Sequence, residues 1–402
     1  MASYRGKRKG RSHGLTVTIV TKGDDVMADW TDVRKVIYEV PDANIYMFHG
    51  ERSNGKTYSS LSYALDKLVE DNTRFVYVRR LAESLRLQYM RNLFTGNKKT
   101  GDLKNHISKF GWDDLGFYSG AFWGLVQNEK GKLIRTDEPC GYTMAISTWE
   151  TAKGGSIPHA KTIIFDEYLT RGSYFHNEPA LFENLISSVF RDEGDGKVIM
   201  LANTVSWSCP YYREWGLNHV KEMKQGTYDV YQTGDGKRKI VVCYTEHKGA
   251  KASDVYFNYD NPRSRMILEG VWETADYPPI PDNIGDWYQG VPCYIQSIDD
   301  YTVKLVPAVT PDGLECLLVY NNRRKLIDAD GMDKRYKDRV VYTDYFYPYI
   351  NCRMAITKHG DNLSKFIISC LKQGRVFYAN NEVGENVRNY LKWSNTYSPI
   401  MG

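Results

Sequence analysis

Cysteine is sparse and scattered in this chain: seven residues, Cys140, Cys209, Cys243, Cys293, Cys316, Cys352 and Cys370, with no CxxC pair. An odd number without paired spacing argues against a disulfide framework or a structural zinc site and reads as reduced thiols of a cytosolic compartment. The eight histidines form no HExxH or HxH pattern, so transition-metal chemistry has no support. No stretch approaches the roughly 18 to 20 apolar residues of a bilayer span, and no apolar h-region follows the basic N-terminus, so neither a membrane anchor nor a secretory leader is expected. Internal repeats and low-complexity tracts are also missing. The formal net charge is only +4, which rules out a polycation as a whole.

What is present fits a globular protein, with 42% hydrophobic and 25% charged residues. At 402 residues the chain exceeds the roughly 250 to 300 that one core usually supports, so two domains are expected. The charge is uneven. Arg5, Lys7, Arg8, Lys9 and Arg11 crowd the N-terminus without an acid, which suits either a solvated tail or contact with phosphate. The expected division is a basic disordered tail over 1–14, an α/β domain over 15–215, a linker or lid over 216–282 rich in turn chemistry such as GDGKRK and YPPIPDN, and a smaller mixed domain over 283–402.

The α/β reading rests on apolar β-type runs at Ile45–Phe48, Phe75–Val78, Thr162–Phe165 and Val198–Leu201, alternating with helical patterns. Between the first run and a helix whose apolar face is Leu61, Ala64, Leu65, Leu68 and Val69 lies GERSNGKT, from Gly50 to Thr57. It fits the G-x-x-x-x-G-K-[ST] phosphate loop. Its glycines let backbone N–H groups face phosphate, Lys56 reaches the outer phosphates, and the Thr57 hydroxyl ligates Mg²⁺. Arg52, Ser53, Asn54 and Gly55 complete the loop.

TIIFDEY supplies the second half: Asp166 at a strand tip for Mg²⁺, and Glu167 beside it to position and deprotonate water. The strand FVYV between the two motifs, the adjacent glutamate, and the missing NKxD motif resemble the ASCE division of P-loop ATPases and favour ATP.

Two further residues have two readings each. Asn203, at the end of KVIMLAN, is either a sensor of the γ-phosphate or a turn former. Arg191, in the last turn of a helix framed by a capping Asn177, Pro179 and a stopping Gly194, either complements the helix dipole or acts as an arginine finger. A Gly-, Lys- and aromatic-rich insertion over 97–142 contains the hairpin-like FWGLVQNEKGKLIRT.

Taken in order, HGERSNGKT, FVYVRRLAESL, STWETAK, TIIFDEYL, SSVFRDE and LANTVSWSCPYY resemble the genome-packaging ATPases of phi29-like bacteriophages. The resemblance extends more weakly to LLVYNN and LSKFIISCLKQGRVFYANNEV. It implies a homopentameric ring motor that uses ATP and Mg²⁺ to push double-stranded DNA through a portal into a procapsid in the host-cell cytoplasm. It also implies a terminase-like, RNase H-like α+β second domain without a working nuclease site, and it raises a packaging RNA as a further partner. Lys153 and Arg191 match residues acting on the neighbouring subunit's ATP, and Arg79 and Arg80 match the arginines closing the second strand, for phosphate contact, interface coupling or pairing with nearby acids. The basic tail and the 97–142 insertion depart from the pattern.

Two-metal nuclease chemistry needs convergent carboxylates. The second domain has Asp299, Asp300, Asp328, Asp330, Asp333, Asp338 and Asp344, many beside cations, which reads as solvated charge. Arg323, Arg324, Lys325, Lys334, Arg335 and Lys337 are candidates for nucleic-acid contact. The alternatives to the motor are a terminase with an active nuclease and a nucleotide-gated nucleic-acid-binding scaffold.

Overall fold

The run IYMFHG forms a strand with all six residues buried, as expected at the centre of a sheet covered on both faces. In the computed structural model the described residues are 15–20, 32–52, 54–149, 157–170, 174–175, 177–191, 196–207, 209–233, 237–246, 277–297, 301–328 and 330–397. The chain folds as two compact units, Met1–Thr170 with Asn177–Trp272, and Arg171–His176 with Glu273–Gly402.

The first unit holds a ten-stranded sheet. Its strands are β1 (Leu15–Val20), β2 (Ile45–Gly50), β3 (Arg74–Arg79), β4 (Asp114–Tyr118), β5 (Ala121–Gln127), β6 (Leu133–Ala145), β7 (Ala160–Asp166), β8 (Lys197–Asn203), β9 (Thr227–Thr233) and β10 (Lys239–Tyr244), in the order β1-β9-β10-β2-β8-β7-β3-β6-β5-β4. The six central strands from β10 to β6 run parallel, so their tips share one edge. Antiparallel pairs close both sides. In the sheet β8 separates β2 from β7, and β3, the FVYV strand that precedes β7 in sequence, lies on the far side of β7.

The helices of this unit are α1 (Val33–Glu39), α2 (Lys56–Asp71), the short α3 (Leu87–Arg91), α4 (Thr95–Lys99), α5 (Asp102–Ile107) and α6 (Ile146–Trp149), then α7 (Glu178–Val189) and α8 (Pro210–Glu214). α2 buries Leu61, Ala64, Leu65 and Leu68 along one face. Each leucine so buried contributes about 1.5 to 3 kcal/mol, so a charge at Leu65 would break the packing. The helix ends at Asn72 in the left-handed conformation, whose N–H bonds the Lys67 carbonyl.

The segment expected as a linker from 216 carries β9 and β10, and β10 pairs in parallel with β2. GDGKRK follows β9 in sequence and ends at Lys239, the first residue of β10, and its composition is that of a linker. The 97–142 insertion is also built into the sheet: β5 and β6 form the anticipated hairpin, and Asn128 accepts the N–H groups of Lys130 and Lys132 in its turn. The tail over 1–14 lies outside the described residues.

The second unit is α+β, as anticipated for an RNase H-like fold. Its strands are β11 (Tyr288–Gln289), β12 (Cys293–Gln296), β13 (Thr302–Val309), β14 (Glu315–Asn321), β15 (Ile327–Asp328), β16 (Gly331–Met332), β17 (Val341–Thr343), β18 (Cys352–Arg353) and β19 (Val376–Tyr378). β12, β13 and β14 form an antiparallel meander, with β17 and β18 added in parallel beside β12 and β19 beside β14. The helices α9 (Asn362–Lys372) and α10 (Asn381–Tyr397) bring Ile367, Val383, Val387 and Tyr390 into a core with Ile295, Leu305, Leu317 and Val319.

Candidate functional site

The chain turns from β2 into α2 through the glycine loop, and the turn needs both flanking glycines. Gly55, the residue before α2, is left-handed at φ 89°. A Cβ on Gly50 would fall 2.1 Å from the Thr245 hydroxyl oxygen. Because the cap residue has no side chain, the first N–H groups of this 16-residue helix are left for an anion.

Thr245, just past β10, braces the loop from behind. Its N–H and hydroxyl donate to the His49 carbonyl at 2.8 and 3.1 Å, and its hydroxyl accepts from Asn54 Nδ2 at 2.8 Å. Sequence reasoning missed this residue because it lay in the presumed linker, 191 positions from Asn54.

Lys56, only 6% exposed, donates to the Glu51 carbonyl at 2.5 Å and to Asn54 Oδ1 at 2.9 Å. Burial pushes its ammonium down to about 7, against the opposing pull of Asp166 and Glu51. A phosphate entering the loop reverses that cost. The side chain is therefore poised to gain a counter-charge.

A cavity of about 790 Å³ opens over the loop, and Arg52, Asn54, Gly55, Lys56 and Thr57 line one side of it. Asp166, Glu167 and Asn203 line the other, from the tips of β7 and β8. Asp32, Arg34, Tyr58, Lys99 and Thr100 form a further wall from α1, α2 and α4, none of them anticipated from the motifs.

Thr57 Oγ1 and Asp166 Oδ2 lie 3.4 Å apart. One hydroxyl and one carboxylate, completed by phosphate oxygens and water, fit the way Mg²⁺ is held at nucleotide sites. Tyr77 donates to the same Asp166 oxygen at 2.6 Å, and burial holds its phenol well above the ordinary range. No sequence signal marked that tyrosine.

Glu167 stands one residue beyond β7 in the left-handed region, φ 66°. Its carboxylate meets Arg79 at 2.5 Å, and Arg79 also lies 3.6 Å from Asp166. Arg80 turns the other way, to Glu178 and to the backbone carbonyls of Glu167 and Tyr168. Both arginines meet acids, and neither lines the cavity.

Behind the loop, His49 Nδ1 lies 3.4 Å from the Tyr168 hydroxyl and 3.3 Å from that of Tyr212, which are 2.7 Å from each other. Burial, with Lys56 nearby, holds His49 down to about 3, so the ring is neutral.

Arg191 is not in this cavity. It is exposed beyond the C-terminal cap of α7, since Phe190 already leaves helical geometry at φ −97°, ψ 18°. There it lines a second cavity of about 430 Å³ with Asn44, Ile45 and Val198, at the opposite ends of β2 and β8 from the loop. Asn177 departs from its reading as well: it is left-handed and makes no side-chain cap, and the helix begins instead with the buried Glu178. Ser53, Lys153 and Gly194 lie outside the described residues.

In the second unit Arg323, Arg324, Lys325, Lys334, Arg335 and Lys337 are all exposed, with Arg335 paired to Asp333. Asp328, Asp330 and Asp338 are exposed too, and Asp344 accepts from Ser297. Among the described residues no group of three or more His, Cys, Asp or Glu side chains is arranged to hold a metal ion. Asp299 and Asp300 lie outside them. No described helix is long and apolar enough to cross a membrane.

Comparison with known proteins meets this site directly. The model of the podovirus DNA encapsidation protein (Gp16) matches residues 121–234, which include Asp166, Glu167, Arg191 and Asn203. A DNA packaging protein of Bacillus phage B103 is 26% identical over 302 residues, covering 68% of this chain and 85% of that protein. The chain resembles the phi29-like DNA packaging proteins. The DNA packaging protein of Bacillus phage phi29 itself is 26% identical over 183 residues, 45% of this chain and 48% of its own. Among solved structures, the Phi-28 gp11 DNA packaging motor is 18% identical with a TM-score of 0.49, covering 90% of this chain and 97% of that one.

Proposed function

We propose that the chain is an ATP-hydrolysing motor that moves double-stranded viral DNA into a procapsid. The observation that carries the reading is the convergence of Lys56, Thr57, Asp166 and Glu167 on one cavity at the tips of parallel strands. The DNA and procapsid parts rest on the resemblance to proteins named for DNA packaging. The second unit, in this reading, is a vestigial nuclease domain, and the motor works in the host cytoplasm as a ring docked on the portal. Five subunits and a packaging RNA are read from the resemblance. Native mass spectrometry and ribonuclease sensitivity of packaging test them.

Bound Mg·ATP supplies the scissile phosphoryl group and the metal charge that offsets its negative oxygens. Lys56 exchanges the Glu51 carbonyl for the outer phosphates, while Thr57 and Asp166 hold the metal. Glu167 releases Arg79 and takes the proton from the attacking water. Asn203, at the tip of β8, faces the same cavity and reports the state of the γ-phosphate.

Arg191 acts in trans in this scheme. Its cavity contains Ile45 while the loop begins at Gly50, and five strand residues at about 3.3 Å each separate the two ends by roughly 17 Å. It cannot serve its own subunit's nucleotide and is free to serve a neighbour's. Lys153 is assigned with it on the resemblance.

The test is steady-state ATP hydrolysis with and without double-stranded DNA and procapsids, beside Glu167→Gln. DNA-stimulated turnover lost in the variant supports the motor, and no turnover with every component present overturns it. For the trans role, rings mixed from Arg191→Ala and Glu167→Gln subunits should regain activity at the interfaces that pair an intact finger with an intact glutamate. Mixed rings that stay inactive would refute it.

A further inference from the structure

The Glu167–Tyr168 turn is held by all four of its backbone polar groups. The N–H groups of both residues donate to the Leu201 carbonyl of β8, at 2.8 and 3.1 Å. Their carbonyls accept from one guanidinium, that of Arg80, at 3.0 Å from Nη1 to Glu167 and 2.7 Å from Nη2 to Tyr168. The rear of that guanidinium is fixed in turn. Arg80 Nε donates to Glu178 Oε2 at 2.9 Å and Nη2 to its Oε1 at 3.0 Å, and Tyr211 donates to Oε1 at 2.9 Å.

Glu178 has no solvent exposure, and the Arg80 side chain is 10% exposed. Burying such a pair is a poor route to stability, since desolvation consumes much of the attraction. Its value is geometric. A planar fork can span two carbonyls and a carboxylate together, which a point-charge ammonium cannot. What it holds is a turn that a non-glycine residue adopts at a cost, with Glu167 at φ 66°.

We propose that Arg80, locked by Glu178, is a positioning residue for hydrolysis: it fixes the Glu167 turn so that the carboxylate is presented to the nucleotide cavity. Because Glu178 opens α7 and Arg191 follows its end, the same clamp ties the turn in one subunit to the helix whose far end is assigned to the neighbour's nucleotide. The inference rests on the reading of Glu167 as the water-activating group.

The test compares wild type, Arg80→Lys and Glu178→Gln. Arg80→Lys keeps a charge for Glu178 but loses the fork, so kcat for DNA-stimulated ATP hydrolysis should fall about 10- to 100-fold, the effect of a misplacement near 1 Å. KM for ATP should change by less than about twofold, because ground-state binding is untouched. Glu178→Gln should shift kcat in the same direction by less. Amide hydrogen exchange over 163–170, read on the nucleotide-free chain, should quicken in both variants. Unchanged kcat with unchanged exchange in Arg80→Lys overturns the clamp, and so does an equal rise in KM and loss of melting temperature without a kcat effect. Wild type without turnover overturns the motor reading instead, and the exchange arm still decides whether the clamp holds the turn.

Discussion

Replacing Glu167 by glycine should make the protein more stable than replacing it by glutamine, while both replacements abolish hydrolysis. The left-handed backbone at this position, φ 66°, costs a non-glycine residue roughly 1 to 2 kcal/mol. Glycine removes that cost but loses about 0.5 to 1 kcal/mol more backbone entropy on folding. The remainder favours glycine by roughly 0.5 to 1 kcal/mol. Glutamine is the proper reference because both variants lose the ion pair to Arg79. Glu167 is 55% exposed there, so the pair is worth at most about 1 kcal/mol and cancels in the comparison. At roughly 2 to 4 °C per kcal/mol for a unit of this size, the glycine variant should melt about 1 to 4 °C above the glutamine variant in the transition that reports the first unit. Calorimetry checks the order. Equal or lower melting of Glu167→Gly would mean the turn stores no strain, and the argument that Arg80 must hold it down would fail with it.

Three other outcomes follow from the loop. With Lys56 near 7 in the free protein, binding of Mg·ATP at pH 8 should take up about 0.9 proton, and little at pH 6, as read by calorimetry in buffers of different ionisation enthalpy; no uptake at pH 8 would refute the buried, half-neutral lysine. His49 is held near 3 against an ordinary 6.5, so the unfolded chain binds the extra proton and stability is lost as pH falls below 6.5. Denaturant titrations between pH 6.5 and 4.5 should therefore show a slope shallower in His49→Gln than in wild type, by about 0.7 kcal/mol per pH unit at pH 6.5 and approaching about 1.4 near pH 5. Gly50→Ala should cost about 1 to 3 kcal/mol and weaken ATP binding, because its methyl falls on Thr245; a variant that binds ATP with wild-type affinity would show that the loop yields freely.

The parts legible in the sequence are those whose chemistry is local. GERSNGKT, the strand before it and the helix after it declare each other, and TIIFDEY carries its carboxylates at a strand tip by period alone. Pairings between distant strands carry no such mark. β9 and β10 were hidden because TYDVYQT mixes polar and apolar residues at the sheet's flank and GDGKRK between them reads as a linker. Thr245 was hidden with them. Tyr77 looked like any strand tyrosine, and its hydroxyl has meaning only once β3 lies beside β7. Glu178 carries no signal of its own in the sequence, since the helix dipole alone would justify an acid in the first turn of a helix. Burial and Arg80 turn it into something else, and neither is visible in one sequence.

In the proposed motor, the same geometry lets Asp166 be held firmly and still serve a metal. Tyr77, Thr57 and Arg79 all approach its Oδ2, at 2.6, 3.4 and 3.6 Å. Among the described residues Oδ1 has no hydrogen-bond partner. The three contacts thus fix the plane of the carboxylate without consuming the oxygen that can turn to the metal or its water shell. Glu167 next to it is organised the opposite way: its backbone is fixed on every side and its carboxylate rests on Arg79, an exposed pair of little worth that can be exchanged for water and nucleotide at small cost. One residue is made rigid at the side chain and the other rigid at the backbone but free at the tip. That division is what the proposed mechanism requires, a metal ligand that stays put beside a base that moves.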